Sequence, residues 1–470
     1  MAADEGRIVI LGGGLAGLSA GYALTRAERR VRVLEANSAV GGLARTVTHG
    51  EFRFDLGGHR FHTTNPRIDA FVRGLLGEEL LTVPRSSRIF LRGRYFDYPL
   101  QPLGACFDLG IATTCAILAG YAKARFAHRW RKTPLLCLED WVVAHFGRPL
   151  FEIYFRDYSE KVWGIPCQRI AAEWIAQRVQ GLSLGAAIWR ACFKPGGSAL
   201  PTLTDAFIYP RLGIGRIADK LRAGIEPADA VLTNARVTHI RHSGFRVLSV
   251  SVRHGSRDRE FRADEFISTI PLQQVVQLLH PAAPDEVLAA AARLRHRDLV
   301  IVAVMLNRPR ATDLTWIYFP EKHIAFGRVH EPANWSPHLA PPGKTVLVAE
   351  HFCCRGDATW STRDEDLIAA TAAQLEHLGF IRREEVLDGT VLRIPAAYPL
   401  FEVGYQDRCD TLLAYLDRFP NLHLAGRGGM FRYYNMDRAI ESGLSAAETI
   451  VQRKPQSEPE EWPMPARRRA

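Results

Sequence analysis

Residues 7–17, Arg-Ile-Val-Ile-Leu-Gly-Gly-Gly-Leu-Ala-Gly, restrict the fold more than any other stretch of the chain. An apolar strand, 8–11, feeds Gly12, Gly14 and Gly17 at the G-x-G-x-x-G spacing, and a helical pattern (Leu18, Tyr22, Leu24) follows at once. A second apolar run, 31–34, ends in an acid, Glu35. Gly12 permits a tight turn, Gly14 lets a pyrophosphate approach the backbone, and Gly17 lets helix and strand pack closely. The helix start offers unpaired N–H groups and a positive dipole end to phosphates. Glu35 stands where a carboxylate accepts the ribose hydroxyls of an adenosine. A lone glycine motif says little, but the strand before it, the helix after it and the acid beyond it together predict dinucleotide binding.

A second glycine turn, Gly41-Gly42-Leu43-Ala44-Arg45, suits a further contact to the same pyrophosphate through Gly42 and Arg45. Nicotinamide-binding domains have no need of it. The segment resembles the glutathione-reductase-like FAD domain of the amine oxidase, phytoene desaturase and UDP-galactopyranose mutase superfamily. Residues 263–272 are similar to the strand and turn that return such a chain to its FAD domain. Residues 422–450 are similar to the C-terminal FAD segment: a strand, then Gly426-Arg427-Gly428-Gly429, then a helix starting near Met436. That helix would aim its N-terminus at the flavin pyrimidine. No second G-x-G-x-x-G marks a nicotinamide domain, and no Cys or His attachment motif is seen, so the resemblance implies non-covalent FAD.

At 470 residues the chain can bury a large core and form two intertwined domains. The fold class expected is α/β: a Rossmann FAD domain, a discontinuous α+β substrate domain and a helical insert. FAD segments are expected at 1–85, 205–275 and 415–452, a helical insert at 86–204, a substrate sheet at 276–414 and a disordered tail at 453–470. The net charge of +10 comes mostly from scattered arginine, which suits an anionic small molecule. No basic stripe interleaved with aromatics predicts nucleic-acid binding. The cysteines show no Cys-x-x-Cys spacing, so no metal site is expected, and isolated cysteines fit a reducing cytoplasm. The N-terminus has no signal-peptide pattern. Residues 109–121 are apolar but shorter than a membrane span, and Lys123, Arg125, Arg129, Arg131 and Lys132 follow. A buried helix with a basic exit is the preferred reading. Docking on an anionic membrane surface is the other.

Three further runs carry candidate chemistry. In Gly57-Gly58-His59-Arg60-Phe61-His62-Thr63 a glycine pair lets backbone approach a planar ring, with His59 directly after it. The run resembles the mutases' Gly-Gly-His loop, which packs on the isoalloxazine near N5, so Gly58 and His59 are placed beside the flavin and His62 is given a structural role. Tyr158-Ser159-Glu160-Lys161-Val162-Trp163-Gly164 is similar to the mutase motif whose Tyr and Trp line the uridine diphosphate pocket. Tyr158 and Trp163 would stack the base while the lysine between them holds an anion. Gln177-Arg178-Val179 matches a diphosphate-contacting arginine site after a one-residue insertion, and Phe326-Gly327-Arg328 matches a second. Two guanidinium forks fit phosphate oxygens.

Tyr398, in Ala-Ala-Tyr-Pro, and Tyr433, within the C-terminal run Gly-Arg-Gly-Gly-Met-Phe-Arg-Tyr-Tyr-Asn-Met-Asp, match the family's phosphate-binding tyrosines. Asn435 stands where the family usually carries Asp, which removes a charge from the pocket. The resemblance implies reduced-flavin N5 attack on the anomeric carbon of a nucleotide sugar, giving pyranose/furanose isomerisation, with His59, Arg178 and Arg328 as catalytic residues. Length and the stretch 84–90 also resemble protoporphyrinogen-oxidase-like relatives. The alternative is therefore an oxidoreductase moving hydride from an anionic or lipid-linked substrate to flavin. Oligomeric state is left open.

Overall fold

The structure is a computed structural model and describes residues 7–98, 110–128, 134–178 and 206–453. A five-stranded parallel sheet runs in the order Leu422–Leu424, Glu265–Ser268, Arg7–Leu11, Arg30–Leu34, Val231–Leu232. The sheet therefore joins strands that lie hundreds of residues apart. Parallel strands need covered faces, and Val9, Ile10, Leu11, Val33, Phe266 and Ile267 are all buried. Helix Leu15–Arg26 crosses between strands Arg7–Leu11 and Arg30–Leu34, and helix Met436–Gln452 packs on it. The contact is close: a Cβ on Gly443 would sit 2.0 Å from the Ala16 carbonyl oxygen. A four-stranded sheet, Arg257–Arg262, Val247–His254, Ala235–His242 and Leu279–His280, is an excursion from the parallel one.

The second large sheet has seven strands, in the order Val386–Pro399, His296–Leu306, Thr345–Cys353, Arg328–His330, Trp316–Tyr318, Ser87–Leu91, Arg94–Asp97. His296–Leu306 is buried along almost its whole length because both its faces are covered. Val300, Val302, Val304 and Leu306 point to one side and pack beneath helix Asp364–His377 with Leu367 and Leu375. Leu299, Ile301, Ala303 and Met305 point to the other and pack with Phe54 and Leu56. The period of two that assigns these faces also assigns those of every neighbouring strand. Each fully buried aliphatic side chain here contributes roughly 1.5–3 kcal/mol.

Two elements differ from the sequence expectation. Residues 87–97, read as part of a helical insert, form a hairpin on the edge of the seven-stranded sheet. Strand Trp316–Tyr318 lies parallel to Ser87–Leu91 and recruits it, a long-range pairing that local pattern does not carry. Helix Ile111–His128, read as buried, has no buried side chain among its described residues. No described helix is long and apolar enough to cross a membrane. The tail call at 453–470 falls, from 454 on, outside the described residues, as does Val179.

Candidate active site

The glycine turns meet at the carboxyl ends of the parallel strands. Gly12 has a φ of +105°, which turns the chain out of its strand. A Cβ on Gly17 would lie 2.0 Å from the Gly12 carbonyl oxygen, so this helix and turn can touch only through glycine. Gly14 is different: a Cβ there would meet no protein atom within 4 Å. Gly14 is the N-cap of Leu15–Arg26 and supplies no side-chain cap, so the first-turn N–H groups have only a ligand or solvent to bind. The second turn docks on the first through Gly41 N–H to Gly13 O at 2.8 Å, and a Cβ on Gly42 would lie 3.3 Å from Gly14 Cα. The buried Nε of Arg45 has no partner.

Glu35 is buried at the end of its strand. Its Oε2 accepts from Gly13 N–H at 2.8 Å, and its Oε1 accepts from the backbone and side-chain amides of Asn37 at 2.8 and 2.7 Å. Oε1 is filled by these two bonds, and Oε2 keeps one lone pair for a ribose hydroxyl. Strand Leu422–Leu424 leads through Ala425 into Gly426, whose N–H donates to Ser442 Oγ at 2.9 Å. Asn435 is the N-cap of Met436–Gln452 and makes no side-chain cap bond. A second uncapped helix start thus belongs to the same cradle. An open glycine, two uncapped helix starts and an orphaned guanidinium nitrogen fit a dinucleotide diphosphate.

The seven-stranded sheet turns one face toward this cradle. Arg328 pairs in register with Glu350 and Tyr318, and His330 with Val348. Alternation therefore sets Arg328, His330, Glu350, Phe352, Tyr318 and Trp316 on the same face as Ile301 and Leu299. The Gly57-Gly58-His59 loop crosses that face. Glu350, fully buried, accepts from Gly58 N–H at 3.2 Å and forms an ion pair with Arg328. Arg328 Nη2 also donates to the Tyr398 hydroxyl at 2.9 Å, and its guanidinium lies 5.2 and 4.7 Å from the Trp316 and Phe352 ring centroids. Burial opposes its charge, but Glu350 and the hydroxyls of Tyr398 and Tyr158 hold its pKa well above the usual value.

Burial pushes the Tyr158 and Tyr398 hydroxyls up, so both stay protonated at neutral pH. Tyr398 accepts from Arg328 and so keeps its own hydrogen to give. Tyr433 stacks on Tyr398 with centroids 6.4 Å apart, and the Arg427 guanidinium lies 5.4 and 5.3 Å from the two rings. Arg427 Nε donates to Tyr434 O at 2.7 Å. Trp163 meets Tyr398 edge-on at 6.4 Å. Burial, then the charges of Arg427 and Arg328, lower His59 to about 4 against one raising hydrogen bond. Its Nδ1 lies 3.1 Å from Gly57 O, which can only accept. The ring is therefore neutral, with its proton on Nδ1 and a lone pair on Nε2.

His59, Arg328, Tyr158, Trp163, Tyr398, Tyr433 and Arg427 are thus brought together. Arg178 ends helix Ala172–Arg178, but its side chain lies outside the described residues. The Trp316 indole packs against Gly58, 1.4 Å from where a Cβ would stand. Two expectations change. Lys161, expected to hold an anion, donates instead to the carbonyls of Phe319 and Phe326 at 2.6 and 3.2 Å. Burial lowers it to about 7. His62, given a structural role, is exposed.

Glu350, Trp316 and His330 were not singled out from sequence. A carboxylate directly after the apolar run 346–349 of the fully buried strand Thr345–Cys353 was a readable signal, because buried acids are rare unless paired. His330 is buried between the Trp316 and Trp335 rings at 5.9 and 5.1 Å, and neither ring nitrogen has a hydrogen-bond partner. Burial lowers it to about 3.

Known proteins share this fold. A solved reduced UDP-galactopyranose mutase superposes with a TM-score of 0.81 at 21% identity, covering 95% of this chain and 93% of that one. Cyclohexylamine oxidase from Brevibacterium oxydans does so with a TM-score of 0.68 at 15% identity, covering 95% and 98%. At these identities the likeness is one of fold. A phytoene dehydrogenase of Streptomyces griseus is 27% identical over 396 residues, 72% of this chain and 71% of that protein. The sequence pattern of the flavin containing amine oxidoreductases matches residues 15–451, nearly the whole span from the first glycine turn to the last helix. The cradle therefore belongs to a flavin enzyme, and the chain is a member of the flavin containing amine oxidoreductase family.

Proposed function

We propose that the chain binds FAD non-covalently and isomerises a nucleotide sugar between pyranose and furanose forms with the flavin reduced. The observation that carries this reading is the cluster on the sheet face. A guanidinium and two protonated tyrosine hydroxyls converge beside the Gly57-Gly58-His59 loop, which suits an anion. The fold shared with a reduced UDP-galactopyranose mutase supports it. Gly12, Gly14 and Gly17 would seat the pyrophosphate, Gly42 and Arg45 would contact it again, and Glu35 would hold the ribose. Gly426, Arg427 and the helix start at Met436 would border the flavin ring.

Reduced flavin, when bound, supplies the nucleophilic N5 for the anomeric carbon. The residues then have separable tasks. Arg328, with Arg178, holds the diphosphate and stabilises the charge that grows on it as the glycosidic bond breaks. Tyr398 and Tyr433 donate to its oxygens. Trp163 and Tyr158 border the base. His59, neutral and accepting at Nε2, orients groups near N5 and adds no charge there. Asn435 replaces a carboxylate and leaves the pocket more welcoming to an anion. The spacing of the cysteines supports the cytoplasm as the compartment.

One observation favours a second reading. Glu350 already neutralises Arg328, which weakens an anion clamp, and the phytoene dehydrogenase relative is named for a redox reaction. An oxidoreductase taking hydride from an anionic or lipid-linked substrate would use the same cradle. Anaerobic incubation with UDP-galactopyranose separates the two. Furanose product formed by reduced but not oxidised enzyme supports isomerisation. Absence of product, with bleaching of oxidised flavin by a candidate anionic substrate, supports the redox reading.

A further inference from the structure

Helix Ile111–His128 is built the wrong way round for a helix facing water. Its inward stripe is Thr113, Thr114, Ile117, Gly120, Tyr121 and Ala124, all half-buried. Its outward stripe from Cys115 to Ala122 is wholly apolar and exposed, with Leu118 at 43%. A surface helix ordinarily turns its polar residues outward. At the C-terminal end the outward residues become Lys123, Arg125 and Phe126, the last 72% exposed. Residues 110–134 contain no Asp or Glu. The helix spans roughly 27 Å.

The helix is firmly seated. Gly120 packs so closely on the Gly147–Pro149 turn that a Cβ on Gly120 would stand 2.6 Å from Pro149 Cδ. That turn opens the helical run Arg148–Leu150, Phe151–Phe155 and Arg156–Trp163, which carries Tyr158 and Trp163 into the candidate active site. The apolar stripe is therefore fixed to the substrate side of the molecule.

We propose that helix Ile111–His128 lies in the surface of an anionic membrane, its Ala-Leu stripe and Phe126 in the acyl boundary and Lys123 and Arg125 on the headgroups. The apolar outward face and the absence of acids commit the occupant to an anionic bilayer. A second protein copy would have to bring acids to match the basic end. The helix does not span, since no described helix is long and apolar enough. The proposal does not depend on which substrate the flavin site takes.

The test uses the full flavin-loaded chain and phosphatidylcholine vesicles with and without phosphatidylglycerol. Co-sedimentation is expected with the anionic vesicles and should weaken with salt. Lys123→Gln with Arg125→Gln should lower the partition coefficient by about fivefold per residue. Leu118→Ser with Phe126→Ser should lower it at least as much, with flavin content and elution volume unchanged. An environment-sensitive dye on exposed Cys115, in a background carrying Cys106→Ser, Cys192→Ser and Cys354→Ser, gives a reading without altering the stripe. Its emission should shift to the blue on anionic vesicles alone. No partition onto anionic vesicles overturns the proposal. So does a wild-type dimer that Leu118→Ser with Phe126→Ser converts to monomer, because a second copy then covers the helix.

Discussion

Glu350→Gln sets stability against ligand affinity at one atom. Gln keeps the shape and the acceptor for Gly58 N–H but removes the charge that pairs Arg328. Breaking a buried pair from one side costs about 3–5 kcal/mol. Arg328 keeps Tyr398, two aromatic faces and a side chain 15% exposed, which places the loss nearer 2–3 kcal/mol by that scale. A chain of 470 residues unfolds with an entropy of roughly 1 kcal/mol per degree. Tm should therefore fall by about 2–3 °C.

UDP affinity should move the other way. A diphosphate oxygen roughly 5 Å from the Glu350 carboxylate meets ~3 kcal/mol of repulsion at an effective dielectric of 20. Even half of that, once removed, tightens binding by about tenfold. The assays are thermal denaturation of the flavin-loaded protein and titration of UDP against flavin fluorescence. An unchanged Tm together with unchanged or weaker UDP binding would refute the pairing argument. In the Glu350→Gln background, Arg328→Gln should cost less than it does alone, since no carboxylate is left stranded.

Other variants separate folding from cofactor binding. Gly14→Ala should fold with wild-type Tm in the absence of flavin yet bind flavin poorly, because its Cβ meets no protein atom and enters the ligand's space. Flavin content after desalting checks it. Gly58→Ala collides with Trp316 and should lower Tm by about 1–3 °C, on the order of 1–3 kcal/mol of overpacking. His330 and His351 are held near 3 and near 4 by burial, against 6.5 unfolded. The unfolded chain then binds protons first, so the contribution of the neutral rings is complete above about pH 6.5 and is lost as pH falls toward about 4. Tm measured against pH should drop across that window, and His330→Phe should flatten the drop.

Much of the cradle was legible because its signals are local. Gly12, Gly14, Gly17, Glu35 and the Gly41-Gly42 turn fall within some thirty residues, and backbone geometry alone explains them. The C-terminal strand, glycine turn and helix were equally compact. The sheet face was legible only in pieces. Arg328 and Tyr398 matched motifs, but Glu350, Trp316 and His330 reach the site through cross-strand register, which sets Tyr318 and Glu350 on either side of Arg328 and which local pattern does not fix. Lys161 misled because its partners, the carbonyls of Phe319 and Phe326, come from a distant part of the chain that its own motif does not reveal. Helix Ile111–His128 misled for a different reason: apolar composition reads as burial, and only tertiary placement reveals what its outward stripe faces.

The central claim is that Arg328 holds an anion beside the flavin, and Arg328→Ala tests it most directly. UDP is titrated against the flavin spectrum of wild type and variant, each checked for flavin content. The account expects the variant to keep its yellow flavin while UDP binding weakens by about a hundredfold, the loss of a charged hydrogen-bonding partner. A variant that retains flavin and binds UDP as wild type does would contradict it.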